Sequence, residues 1–143
     1  MKLSRDRFYK IYKTIVELDS KKYNKHFLLN CSIIKKALIQ YISIIEERAR
    51  ELITPEYNEF KNSYDGLVKE YQESPTDEQR IKIENLIQEN SEVLEVYRKK
   101  DQEFGMWINE EVDVEIKQIP FEYVPEEINK ESFDQLEDLF LVD

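Results

Sequence analysis

Residues 25–53 read KHFLLNCSIIKKALIQYISIIEERARELI, and this stretch decides the fold class. Phe27, Cys31, Ile34, Leu38, Tyr41 and Ile45 return every three or four positions, and Leu52 follows seven later, the spacing of one helical face. Ile33, Ala37 and Ile44 widen that face and shrink the polar stripe to Lys36, Gln40, Ser43 and Glu47. A helix apolar over most of its circumference is a central one, covered by several neighbours. The segment is therefore expected to be the core of a mainly α protein.

Outward from it, the flanking segments repeat the helical period. Ser4 can cap a helix that carries Phe8, Ile11, Tyr12, Ile15 and Leu18 on one side, and residues 19–25 form a polar connection. Downstream, Thr54-Pro55-Glu56 is a start signal: a capping hydroxyl, a proline where no amide hydrogen is needed, and an acid near the positive end of the helix dipole. Tyr57, Phe60, Tyr64, Leu67 and Tyr71 then give a seam for an antiparallel partner. Thr76 to Gln79 has capping-box form, in which Gln79 reaches back. The helix it starts carries Ile83, Ile87, Leu94, Tyr97 and Phe104, and stops at Gly105.

After Gly105 the period changes. Val112, Val114 and Ile116 alternate with Asp113, Glu115 and Lys117, the pattern of a half-buried strand. Ile119, Phe121 and Tyr123 alternate in the opposite phase, so Pro120 marks a bulge or corner. Such a strand needs a partner for its backbone groups. Three candidates exist: the arm formed by residues 1–3, a fold-back of residues 119–123, or the same strand of a second chain. A short helix over residues 130–140, with Phe133, Leu136 and Phe140 inward, ends the sequence. The expected fold is a bundle of about four helices with a small β element near residues 111–123 and a short C-terminal helix. It forms a single helical domain over 1–143, with a helical body over 4–105 and a strand and acidic segment over 110–143.

The 143 residues are 41% apolar and 36% charged, with two Gly and four Pro, a composition of long helices with wet outer faces. One cysteine, Cys31, excludes an internal disulfide and is expected as a buried thiol. No signal-peptide pattern is visible, and the longest apolar stretch, residues 33–45, is too short and too charged to span a bilayer. A cytoplasmic protein is expected.

Charge is split by position. Residues 1–45 hold ten Lys or Arg against three acids, and residues 101–143 hold two Lys against fourteen acids. Acidic self-repulsion should make the last third the more weakly held part. The asymmetry speaks of partners rather than of fold. Arg5, Arg7, Lys10 and Lys13, interleaved with Tyr9 and Tyr12, could hold the phosphates and stack on the base of a nucleotide. Glu110, Glu111, Asp113 and Glu115, with the only tryptophan, Trp107, could form the contact surface for a partner protein. Alternatively, the two ends face each other. The orphan strand and the opposite charges both invite a homodimer. A net charge of −10 argues against binding long nucleic acid.

Enzyme chemistry finds little to work with. The only histidine, His26, has no nucleophile elbow to serve. Two isolated glycines make no phosphate loop, and one His with one Cys makes no zinc site. Carboxylates are abundant but lack calcium-loop spacing. Neither metal nor cofactor is expected, and the chain reads as a non-enzyme.

The stretch Asn109-Glu-Glu-Val-Asp-Val-Glu-Ile-Lys-Gln-Ile-Pro-Phe121, followed by Glu131-Ser-Phe-Asp-Gln-Leu-Glu-Asp-Leu-Phe-Leu-Val-Asp143, resembles the ending of small acidic proteins from phages and prophages of Gram-positive bacteria. The likeness covers about the last 35 residues and is architectural before that. It carries no catalytic residues over. It implies a phage protein, working in the host cytoplasm, that binds and antagonises a host or defence factor. A nucleotide-sequestering role for the basic aromatic face and an accessory role in virion assembly are the alternatives.

Overall fold

The computed structural model describes residues 1–142; Asp143, the last acid of the chain, lies outside the described residues. Helices dominate: α1 (Arg5–Leu18), α2 (Lys25–Glu51), α3 (Pro55–Glu73), α4 (Asp77–Glu89), α5 (Ser91–Ile108) and a short α6 (Lys130–Leu136). Four short strands accompany them: β1 (Lys2–Ser4), β2 (Glu111–Asp113), β3 (Ile119–Pro120) and β4 (Phe140–Leu141). The fold is mainly α with a small β element and a short C-terminal helix. The chain divides into two compact units, residues 1–46 with 107–143, and residues 47–106. That grouping differs from the boundary near residue 105 read from the sequence, because the C-terminal segment returns to the N-terminal helices.

Caps form where the sequence supplies them. The side-chain oxygens of Ser4, Thr54 and Thr76 accept from the amides of Arg7, Tyr57 and Gln79 at 3.1, 3.1 and 3.2 Å. Asn24 and Asn129 do the same for Phe27 and Ser132 at 2.9 and 2.8 Å. Only half of the expected capping box forms, since Gln79 Oε1 is buried with no hydrogen-bond partner.

In the first unit, Phe8, Ile11, Ile15 and Leu18 of α1 are buried, as are Phe27, Cys31, Ile34, Leu38, Ile42 and Ile45 of α2. Val114, Ile119, Leu136, Leu139 and Phe140 are buried with them. The expectation that neighbours cover α2 nearly all round is corrected. Burial follows one stripe, with Ile42 on it and Tyr41 off it, while Leu29, Ile33, Ile39 and Ile44 stay exposed. A 27-residue helix with a window of mean hydropathy 1.4 is also long and apolar enough to cross a membrane, by length and composition alone. The shorter stretch read from the sequence understated it.

The orphan strand finds its partner at the other end of the chain. β2 pairs antiparallel with β1 in the register Lys2↔Asp113, Leu3↔Val112, Ser4↔Glu111. The 119–123 segment does not fold back on β2; its first two residues, β3, pair in parallel with β4. A single 3₁₀ turn, Phe121–Tyr123, follows Pro120.

The second unit holds α3, α4 and most of α5. Tyr57 stacks on Tyr97 at 3.9 Å, and Phe60 on Tyr64 at 5.7 Å. Burial and the neighbouring Tyr57 push the Tyr97 hydroxyl above its ordinary pKa. The helix expected over residues 76–104 is two helices. Asn90 turns its side-chain amide onto the Leu86 carbonyl at 2.8 Å, competing with the backbone ladder and ending α4. Conversely, α5 passes through Gly105, which has no positive φ, and ends at Ile108. Phe60 is the only buried apolar side chain among the described residues of this unit.

Candidate functional site

The two charged ends meet in the first unit. β1 is followed at once by α1, so pairing β1 with β2 sets the first turn of α1 beside residues 107–113. The Arg5 amide donates to the Glu110 carbonyl at 3.2 Å, continuing the ladder, and the Val114 amide donates to the Met1 carbonyl at 2.9 Å. The Arg5 guanidinium lies 4.4 Å from the Trp107 ring centroid. Its Nη1 donates to the Trp107 carbonyl at 2.8 Å and to Glu110 Oε2 at 2.9 Å. Such a stacked, doubly bonded arginine uses the planarity that lysine lacks.

Arg7 points to the other acidic segment. Its Nε donates to Asp138 Oδ2 at 2.7 Å, Nη1 to Gln135 Oε1 at 2.8 Å and Nη2 to the Asp134 carbonyl at 3.2 Å. Lys2 pairs with Glu111 at 3.4 Å, and the Met1 amine with Asp113 at 3.0 Å. The acidic end is thus tied to the basic start.

For the expected partner surface, Glu110, Glu111 and Asp113 are each paired within the chain yet remain exposed. Glu111 and Asp113 are two apart on β2, on one face, about 7 Å apart along the strand. Glu115, two residues past the end of β2, is also exposed. Trp107 is half-buried under Arg5 rather than presented openly.

The expected ligand face is not gathered in one place. Arg5, Tyr9, Tyr12 and Lys13 share one side of α1 by spacing, whereas Arg7 and Lys10 lie on another. Lys10 pairs with Asp6 at 2.7 Å, and Lys13 sits 5.8 Å from the Tyr9 ring. Arg5 and Arg7 already donate to the chain's own carboxylates and carbonyls. Both features that invited a homodimer, the orphan strand and the opposite charges, are satisfied inside one chain.

His26 stacks on Tyr123 at 4.9 Å. Cys31 is buried, and its thiol is pushed up to about 12, chiefly by burial and secondly by Asp19. The Asp19 carboxylate accepts from Lys35, and that hydrogen bond raises the lysine above its ordinary value. Among the described residues no group of three or more His, Cys, Asp and Glu could hold a metal ion.

One feature escaped the sequence reading. Phe121, Val124, Pro125, Ile128 and Phe133 line a cleft of about 360 Å³, with Glu126 and Lys130 also on its wall. The signal was present as apolar residues interspersed with Glu122, Glu126 and Glu127, but beyond the alternation that ends at Tyr123 no helical or strand period links them. Comparison with protein-family models, with curated proteins and with solved structures gave no match.

Proposed function

We propose that this chain is a non-enzymatic binding protein that antagonises a host or defence factor of the cell its phage enters, through its acidic C-terminal surface. The observation that carries the reading is the row of exposed carboxylates on and after β2, of which Glu111 and Asp113 are held by the β1 pairing. Glu111 and Asp113 stand about one phosphate spacing apart on a braced strand. A row fixed in this way lowers the ordering cost of meeting a basic groove. Glu110 and Trp107, bound to Arg5, brace its start. The phage context rests on the likeness of the C-terminal ending alone. A non-enzymatic role accords with a single histidine stacked on Tyr123 and a thiol held protonated by burial.

The test is capture. The tagged protein is mixed with host lysate, and retained proteins are identified by mass spectrometry. Replacing Glu111, Asp113 and Glu115 by Lys is expected to abolish capture of a stoichiometric partner while the helical circular-dichroism signal persists. Unchanged capture would remove this surface from the proposal.

A further inference from the structure

The outer side of α2 is an uncovered apolar row. Leu29, Ile33 and Ile44 are 61%, 47% and 50% exposed. Their spacing, with Ala37 and Tyr41 between, places them away from the buried stripe of α2. The row is also basic. No acid occurs between Asp19 and Glu46, a span that contains five lysines. Lys35 is held by Asp19, while Lys21, Lys22, Lys25 and Lys36 have no ion-pair partner among the described residues.

The cleft in the C-terminal segment has the opposite combination. Its two phenyl rings, Phe121 and Phe133, lie 6.4 Å apart, and Phe133 also packs on the buried Phe140 at 5.3 Å. Glu126 is on its wall, and Glu122 and Glu127 are chain neighbours of lining residues. These three carboxylates are exposed and have no ion-pair partner among the described residues. Lys130 is held by Asp134 at 2.6 Å, so its charge is offset locally.

The two surfaces join. His26, at the start of α2 and on the side of the row, stacks on Tyr123, and the Asn24 side-chain amide donates to the Tyr123 carbonyl at 2.9 Å. An apolar, basic face therefore borders an apolar, acidic one within the same unit. We infer that a second copy of this chain covers both: the α2 row of one copy seats against the acidic cleft of the other, and reciprocally. A two-fold axis near the His26–Tyr123 seam closes such a pair. Leu29, the most exposed of the row, is the side chain that enters the cleft. Charge decides this occupant over an anionic lipid surface, which would meet the row but be repelled by the cleft beside it. The dimer uses neither β2 nor the carboxylates from Glu110 to Glu115, so it stands or falls apart from the proposed partner surface.

Sedimentation velocity over a concentration series of the full chain tests it. A monomer–dimer equilibrium is expected. Ile33→Glu should weaken it about tenfold or more, as should the triple reversal Glu122→Lys, Glu126→Lys, Glu127→Lys. Lys22→Glu with Lys25→Glu and Lys36→Glu should do the same, and combining the two triple reversals should restore association. All these positions are exposed, and circular dichroism checks that each variant is folded. A chain monomeric at every concentration overturns the inference. So does a dimer indifferent to both reversals, or one that the combined reversal leaves broken. Binding of the monomeric chain to phosphatidylglycerol vesicles, lost in Ile33→Glu, would instead assign the row to lipid. Saturation of the cleft of a monomeric chain by a Lys-flanked leucine peptide would assign it to a foreign basic segment. Either result refutes the dimer.

Discussion

Arg7 gives the sharpest test of how the two ends are joined. Replacing it by Ala removes a 2.7 Å bond to Asp138, a 2.8 Å bond to Gln135 and a 3.2 Å bond to the Asp134 carbonyl. Hydrogen bonds to a charged group contribute about 1.5–3 kcal/mol when sheltered, and fully exposed ion pairs about 0.2–1 kcal/mol. The Arg7 and Asp138 side chains are 22% and 37% exposed, between those limits. Arg7→Ala should therefore cost about 2 kcal/mol, of which about 1 kcal/mol is coupling to Asp138. The assay is urea unfolding followed by the fluorescence of Trp107, the only tryptophan and a resident of the first unit. A cycle of Arg7→Ala, Asp138→Ala and the double variant isolates the coupling. High salt should reduce it without removing it. Coupling within about 0.3 kcal/mol of zero would refute the claim that this pair ties the C-terminal segment to α1.

Other expectations follow from the same geometry. Cys31 should resist a thiol reagent in the folded protein at mildly alkaline pH and react as one equivalent once denatured, because burial both blocks access and keeps the thiol protonated. Its raised pKa also sets a sign: the thiol's contribution to stability is full below its unfolded value near 9 and is lost as pH climbs toward about 12. Cys31→Ala should therefore flatten part of the fall in melting temperature over that window. Leu38→Ala, at a fully buried position on α2, should cost about 2–5 kcal/mol in the same urea assay. Thr54→Ala, which deletes the cap of α3, should cost about 1 kcal/mol, read by urea unfolding followed by the helical circular-dichroism signal of the chain.

Much of the local structure was legible. The Ser4, Thr54 and Thr76 caps, the 3.6-residue periods of α1 and α3 and the alternation at Val112–Val114 depend on neighbours a few positions apart. The misreadings have equally local causes. Residues 76–104 read as one helix, yet Asn90 ends the first of two, because its side chain competes for the Leu86 carbonyl. Gly105 looked like a stop, yet nothing there requires a left-handed residue, so α5 continues to Ile108. Tyr41 and Ile42 were exchanged at the edge of the buried stripe because α2 is apolar on both sides, which blurs the boundary that periodicity reads.

The sequence by itself determined that the protein is helical, where most helices begin, that one strand needs a partner, and that its ends carry opposite charge. These follow from backbone propensity, capping and composition, which act over one or two turns. Tertiary structure alone decided that β1 is the partner of β2, that Arg5 and Arg7 are bound by Glu110 and Asp138, and that the outer row of α2 stays bare. The strand pairing and the two arginine contacts join residues a hundred or more apart in the chain, and a strand's hydrogen bonds or an arginine's charge can be met by many partners equally well. Only closure of the whole unit, with every buried group satisfied at once, selects among them.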